Sequence, residues 1–303
     1  MNDPRTVLIT GATDGLGRGL ADKLAADGVT LILHGRDRRK LDAAADDIRD
    51  AHGGQRPHTV LADLADLAQI RRLAGDVRGA AGRLDVLVSN AGIGSGQPDG
   101  RTRRTSADGY ELRFAVNYLA GFLLTIELLP LLRASAPARI INVASIGQHP
   151  LDFDDLMITR GYSGARAYGQ SKLAQIMSGF ELAGRVPAAE VTVNSLHPAT
   201  YMPTKIVLEE TGQPVDSLAE GVSATRRLVS DTALAGVTGR FFDRTRDTRA
   251  NAQAYDAAAR AELWQRSLQL TGHAQWHDPT SVSERHIDVT WVRSYTPDVT
   301  STE

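Results

Sequence analysis

A chain of 303 residues with 42% hydrophobic side chains can bury the core of one large domain. Its 34 basic and 36 acidic residues leave a formal net charge of -2, so no global field draws it to nucleic acid or an anionic membrane, and a small-molecule partner is expected. The absence of cysteine excludes disulfides, thiolate metal sites and cysteine nucleophiles and fits a reducing cytoplasm, and the 8 histidines are scattered, none at a metal-ligand spacing.

Met1 leads through Asn2, Asp3 and Pro4 directly into a strand-like run, with no secretory signal pattern. Short β-branched and apolar runs alternate with longer stretches of helical period, the pattern of βαβ units and a parallel sheet. Strands are expected over 6–10, 30–33, 58–61, 85–89, 139–143, 191–196 and 240–242, with helices over 16–27, 38–52, 65–80, 107–132, 164–184 and 217–230. The longest apolar run, near Ala120 to Leu132, is interrupted by Glu127 and Pro130 and reads as too short to span a bilayer. No internal repeat or linker divides the chain, so one domain is expected over 1–272, including a substrate lid near 201–232. A C-terminal extension over 273–303 follows, with a strand-like run at 287–292.

After the first strand comes Thr10-Gly11-Ala12-Thr13-Asp14-Gly15-Leu16-Gly17. Glycines there permit a tight turn and let backbone N–H groups approach a pyrophosphate at a helix N-terminus. The second strand ends at His34-Gly35-Arg36-Asp37, at the distance from Gly17 where an adenosine ribose is read. Arg36 would pair with a 2′-phosphate and argues for NADP. A one-residue shift would present Asp37 to a free 2′-hydroxyl instead, which leaves NAD as the alternative.

The run Ala167-Tyr168-Gly169-Gln170-Ser171-Lys172 places a phenol and an ammonium on one helix face. A neighbouring lysine charge favours the phenolate and lowers a pKa that is ordinarily about 10, which suits general acid/base work on an alcohol or carbonyl.

With the glycine loop, Asn90-Ala91-Gly92 after the fourth strand, Asn117, Ser145 and Tyr168/Lys172 in order, the chain resembles the short-chain dehydrogenase/reductase family over about 6–245. Its details are most similar to the retinol dehydrogenase and protochlorophyllide reductase branch: the extra residues between Ser145 and Tyr168, the run Arg166 to Ala174, and Leu196-His197-Pro198-Ala199-Thr200. The resemblance implies an α/β Rossmann fold, a doubly wound seven-stranded parallel sheet of order 3-2-1-4-5-6-7 with helices on both faces. It implies Tyr168 as proton donor or acceptor, Lys172 as its pKa modulator and ribose ligand, Ser145 polarising the substrate oxygen and Asn117 anchoring a relay water. The cofactor residues it implies are Gly11, Thr13, Asp14, Gly15, Leu16, Gly17, Arg36, Asp63, Leu64, Asn90, Ala91, Gly92, Pro198 and Thr200, with Tyr168 and Lys172. Asp63 reads equally well as the N-cap of the next helix. Ala199 departs from the family's Pro-Gly and gives up backbone freedom there. The resemblance further implies NADPH-linked reduction of a carbonyl, or the reverse, on a mainly apolar molecule, and a homodimer or homotetramer built on the two long helices. A nucleotide-binding sensor or scaffold is the reading from another class. Loops over 93–104, 146–164 and 201–214 are expected to form the substrate pocket, the last as an apolar lid.

Overall fold

The structure, a computed structural model, describes residues 5–96, 100–200, 202–203 and 215–273. The run Thr6–Ile9 (β1) is buried along its whole length, as is Val86–Ser89 (β4). These strands are apolar without alternation because helices cover both faces of the sheet. Around them lie Thr30–Gly35 (β2), His58–Leu61 (β3), Ala138–Val143 (β5), Val191–His197 (β6) and Arg240–Asp243 (β7), all parallel. The sheet order is β3-β2-β1-β4-β5-β6-β7-β8, in which Arg246–Thr248 (β8) pairs antiparallel with β7. Among the described residues the expected seven strands are therefore eight. The last was missed because it is three polar residues with no apolar pattern, formed by a turn in which Arg244 adopts φ 55°.

One face is covered by Gly15–Ala26 (α1), Arg38–His52 (α2) and Leu218–Ser230 (α6). The other carries Leu67–Ala80 (α3), Ala120–Ala134 (α4), Gly164–Arg185 (α5) and Ala257–Leu270 (α7). Side-chain caps start most of them: Asp14, Asp37, Asp66, Ser163, Asp256, and a reciprocal Ser217/Glu220 box.

The helix expected from 107 begins later. Gly109 takes φ 83°, Ser106 Oγ accepts from the amides of Asp108 and Tyr110, and Thr105 pairs with Glu111, so 105–111 is a closed turn. A π-helical turn, Phe114–Leu119, then runs into α4. Together Phe114–Ala134 makes a 21-residue helix whose most apolar 18-residue stretch has a mean hydropathy of 1.7, enough by length and composition alone to cross a membrane; 67% of that stretch is buried inside the protein, as in a core helix.

Helix α7 was not foreseen, although Asp256 before an Ala-rich run carries its start signal. It lies on α5 and α4, where Trp264 packs edge-on against Phe122 at 5.1 Å and under the Arg185 guanidinium at 4.9 Å. The lid residues Tyr201, Ile206, Val207 and Leu208 and the strand-like run at 287–292 lie outside the described residues.

Candidate active site

The chain order reverses direction beside β1, whose neighbours are β2 and β4, and this opens a crevice at the carboxyl ends of the strands. The glycine loop sits there. Gly11 and Gly15 adopt φ of 66° and 51°. A Cβ on Gly17 would lie 2.2 Å from the Gly11 carbonyl oxygen and 2.6 Å from Asn90 Nδ2, so the first turn of α1 packs its bare backbone on the glycine loop and on the Asn90 side chain just past β4. Asn90 Nδ2 donates to the carbonyls of Thr10 at 2.8 Å and Gly11 at 3.2 Å. Thr10 Oγ1 accepts from the amides of Asn90 and Ala91 at 2.9 and 3.0 Å. Asp14 caps α1 by accepting from Gly15 N–H at 2.7 Å, and Leu16 is buried in the first turn. The result is a glycine loop running into a helix N-terminus, the arrangement that binds a dinucleotide pyrophosphate.

Sequence reasoning passed over His34, although a histidine inside an apolar strand was its signal. Its Nδ1 accepts from Gly11 N–H at 3.2 Å and its Nε2 faces the Ala62 carbonyl at 3.1 Å, which ties the loop to the end of β3. Burial pushes its pKa down to about 4, against the opposing pull of the Ala62 carbonyl and the Asp63 carboxylate.

The ribose corner separates Arg36 from Asp37. β2 ends at Gly35, whose missing Cβ leaves room for Thr13 Cγ2. Arg36 follows it, exposed, while Asp37 caps α2 by accepting from Lys40 N–H at 3.1 Å. The carboxylate that argued for NAD is thus committed to a helix. Asp63 accepts from Ala65 N–H at 2.9 Å and closes a turn, and the cap of α3 is Asp66, not Asp63. Leu64 is buried and, with Thr10, Ala91 and Asn117, lines a small cavity behind the loop.

The four candidate catalytic residues lie on segments tied to the carboxyl ends of β4 and β5. Tyr168 and Lys172 share one face of α5, with Lys172 Nζ 5.8 Å from the phenol ring centroid. Lys172 Nζ donates to the carbonyl of Val143, the last residue of β5, at 2.8 Å, and burial lowers its pKa to about 8. Ser145 follows, buried, its Oγ accepting from Gly147 N–H at 3.0 Å. Gly92 faces Asn117 and Lys172: a Cβ there would lie 3.1 Å from Asn117 Oδ1 and 3.6 Å from Lys172 Nζ. Asn117 lies in the π-helical turn, a distortion common at functional sites. Its Oδ1 accepts from Ile93 N–H at 2.8 Å, and its Nδ2 donates to the Ile93 carbonyl at 3.1 Å and to Ser171 Oγ at 3.0 Å. Its side chain therefore grips the segment after β4.

Pro198 and Ala199 are buried just past β6, and Ala199 is absent from the residues with positive φ, so the missing glycine costs no strain. Thr200 donates its amide to Asp216 at 2.6 Å, its Oγ1 lies 3.1 Å from His197 Nε2, and Asp216 pairs with Arg244. The amide of Thr200 and the Arg244 guanidinium hold the Asp216 carboxyl below its usual range. This clasp, also unforeseen, ties Thr200 just past β6 to Asp216 shortly before α6.

A cradle that would be filled by any Cβ at Gly17, a helix N-terminus above it, and a buried lysine beside Gly92 fit a nicotinamide dinucleotide. Comparison with known proteins agrees. The family described as short chain dehydrogenase matches residues 5–213. Retinol dehydrogenase 13 of Homo sapiens is 36% identical over 285 residues, covering 88% of this chain and 85% of that protein. Retinol dehydrogenase 14 of Homo sapiens is 35% identical over 295 residues, covering 88% and 86%. Among solved structures, the Pseudomonas aeruginosa RhlG/NADP active-site complex superposes with a TM-score of 0.65 at 28% identity, covering 79% of this chain and 94% of that one. A short chain dehydrogenase from Escherichia coli CFT073 complexed with NADPH gives 0.65 at 27% identity, covering 81% and 98%. The chain belongs to the short chain dehydrogenase family, NAD(P)-dependent oxidoreductases acting on CH–OH groups.

Proposed function

We propose that this enzyme is NADP-dependent, that it interconverts a carbonyl and an alcohol on a mainly apolar small molecule, and that Tyr168 exchanges the proton. The observation that carries the reading is the buried Lys172 ammonium beneath the Tyr168 ring, anchored on the carbonyl two residues before Ser145. A cation there stabilises phenolate, so Tyr168 can give a proton to a carbonyl oxygen as reduction proceeds and recover it afterwards. The bound nicotinamide would supply or accept the hydride. Ser145 would donate to the developing alkoxide, a bond that strengthens toward the transition state. The glycine loop, Asn90 and Lys172 would hold the dinucleotide, and Arg36 would pair with a 2′-phosphate.

An apolar substrate is supported by Ile146, next to Ser145 and 58% exposed, and Val215, next to the Thr200–Asp216 clasp and 69% exposed. The names of the relatives make retinol and its aldehyde the first compounds to try. The absence of cysteine and the near-neutral charge support placement in the cytoplasm, which cell fractionation tests. The test of the reading itself is NADPH and NADH consumption with a panel of aldehydes, ketones and quinones that includes retinal. NADPH-favoured turnover, reversed toward NADH in Arg36→Asp, is expected. Equal use of both cofactors by wild type and variant would contradict the Arg36 assignment, and inertness with tight NADPH binding would favour a sensor.

A further inference from the structure

Arg113 and Glu111 are charged side chains with no solvent exposure, and the proton-transfer chemistry uses neither. The Arg113 guanidinium donates to the carbonyl of Gly94 through Nε at 2.7 Å and to the carbonyl of Ser95 through Nη2 at 2.7 Å. Its Nη1 donates to Tyr162 Oη at 2.5 Å, and that hydroxyl in turn donates to Glu111 Oε1 at 3.0 Å. Burial and the adjacent Glu111 carboxylate push the Tyr162 hydroxyl up to about 12, which keeps it a donor. The second Glu111 oxygen accepts from Phe114 N–H at 2.7 Å, at the first residue of the π-helical turn that carries Asn117.

Three segments around the cleft meet at this network: the stretch after β4, the entry to the Asn117 helix and the insertion before α5. Asn117 grips Ile93, and Arg113, one turn earlier on the same helix, grips the next two carbonyls. Ser95 is pressed onto the start of α5, where a Cβ on Gly164 would lie 1.9 Å from the Ser95 carbonyl oxygen. Tyr168 stands one turn further along that helix. A buried ion pair is seldom more stabilising than apolar residues of the same volume, so stability alone does not account for a charge here. A guanidinium does offer several donors in a fixed planar fork, which suits carbonyls of two successive residues.

We propose that Arg113, oriented by Glu111 and Tyr162, is a positioning residue that locks the 93–95 segment onto α5 and so sets the substrate-side wall beside Tyr168. The inference rests on the oxidoreductase reading above. It acts on placement of the carbonyl; the dinucleotide is held from the glycine loop, from Asn90, which is tied to that loop by its own bonds, and from Lys172.

The test compares Arg113→Lys and Tyr162→Phe with the unaltered enzyme, using the best carbonyl from the panel and NADP⁺ titration by calorimetry. Small displacements of a reacting group cost one to two orders of magnitude in rate, so kcat/KM in Arg113→Lys is expected to fall about tenfold or more while the NADP⁺ Kd stays within about twofold. Tyr162→Phe, which removes one hydroxyl from an otherwise intact site, is expected to show the same split at about threefold, and it decides the matter if Arg113→Lys does not fold. Unchanged kcat/KM in the folded variants overturns the proposal, as does a parallel loss of NADP⁺ affinity, which marks a general packing role. An unaltered enzyme that is inert on the whole panel overturns the oxidoreductase reading and this inference with it; normal activity with insensitive variants overturns this inference alone.

Discussion

Tyr168 and Lys172 were legible in the sequence because both lie on one helix, where spacing alone brings side chains together. Arg36 and Asp37 were not separable by spacing; what separates them is that β2 stops at Gly35 and Asp37 turns to cap α2. Residues that act across segments gave weaker signals. Thr10, His34 and Arg113 each stand in runs whose apolar neighbours read simply as core, and their roles come from carbonyls and amides distant in sequence. His34 yields a sign-definite prediction. Its pKa is about 4 when folded against 6.5 as a free imidazole, so the unfolded chain takes up the proton first. Stability from this group is complete above pH 6.5 and is lost as pH falls through the window to about 4, by about 3 kcal/mol in all. Denaturant midpoints between pH 7 and 4.5 should fall more steeply for the wild type than for His34→Asn, and parallel profiles would contradict the assignment.

At the scale of elements, the central strands announced themselves as apolar runs, because burial on both sheet faces leaves little polar alternation. The helix expected over 107–132 shows the limit of periodicity. Its apolar spacing persists through 107–111, but Gly109 and the Ser106 hydroxyl favour a closed turn, and only the structure reveals the π-helical turn that follows. The loop between β1 and α1 offers the sharpest test at this scale. Gly17→Ala would drive a Cβ to 2.2 Å from the Gly11 carbonyl oxygen. Overpacking of this kind costs about 1–3 kcal/mol. Thermal unfolding should register that loss, and NADP⁺ titration should show at least about tenfold weaker binding, the equivalent of about 1.4 kcal/mol. Unchanged affinity would mean that the cofactor does not lie on this loop.

For the whole molecule, the decisive arrangement is α7 across α4 and α5. The resemblance implies that these long helices pair with a second subunit, yet here Leu263, Trp264 and Leu268 are buried against them, and Tyr118 Oη meets Ser267 Oγ at 2.6 Å. A second subunit could reach the part of α4 and α5 beneath α7 only if α7 moved, so light scattering at micromolar concentration should give the mass of a single chain if association depends on that part. A dimer mass would show that α7 yields or that another face associates. Trp264→Ala should cost about 3–5 kcal/mol, as loss of a fully buried large side chain does, and should expose the apolar surface beneath. Dimerisation appearing only in that variant would support α7 as the cover.

The central claim is that Tyr168 carries the proton while the glycine loop and Lys172 carry the cofactor. Single-turnover reduction with Tyr168→Phe, alongside NADPH titration of the same variant, tests it most directly. General acid/base groups contribute about 10²–10⁴-fold, so the rate should fall by at least about 100-fold while NADPH affinity stays within about threefold. A variant that turns over at the wild-type rate, or that loses turnover only because NADPH no longer binds, would contradict the account.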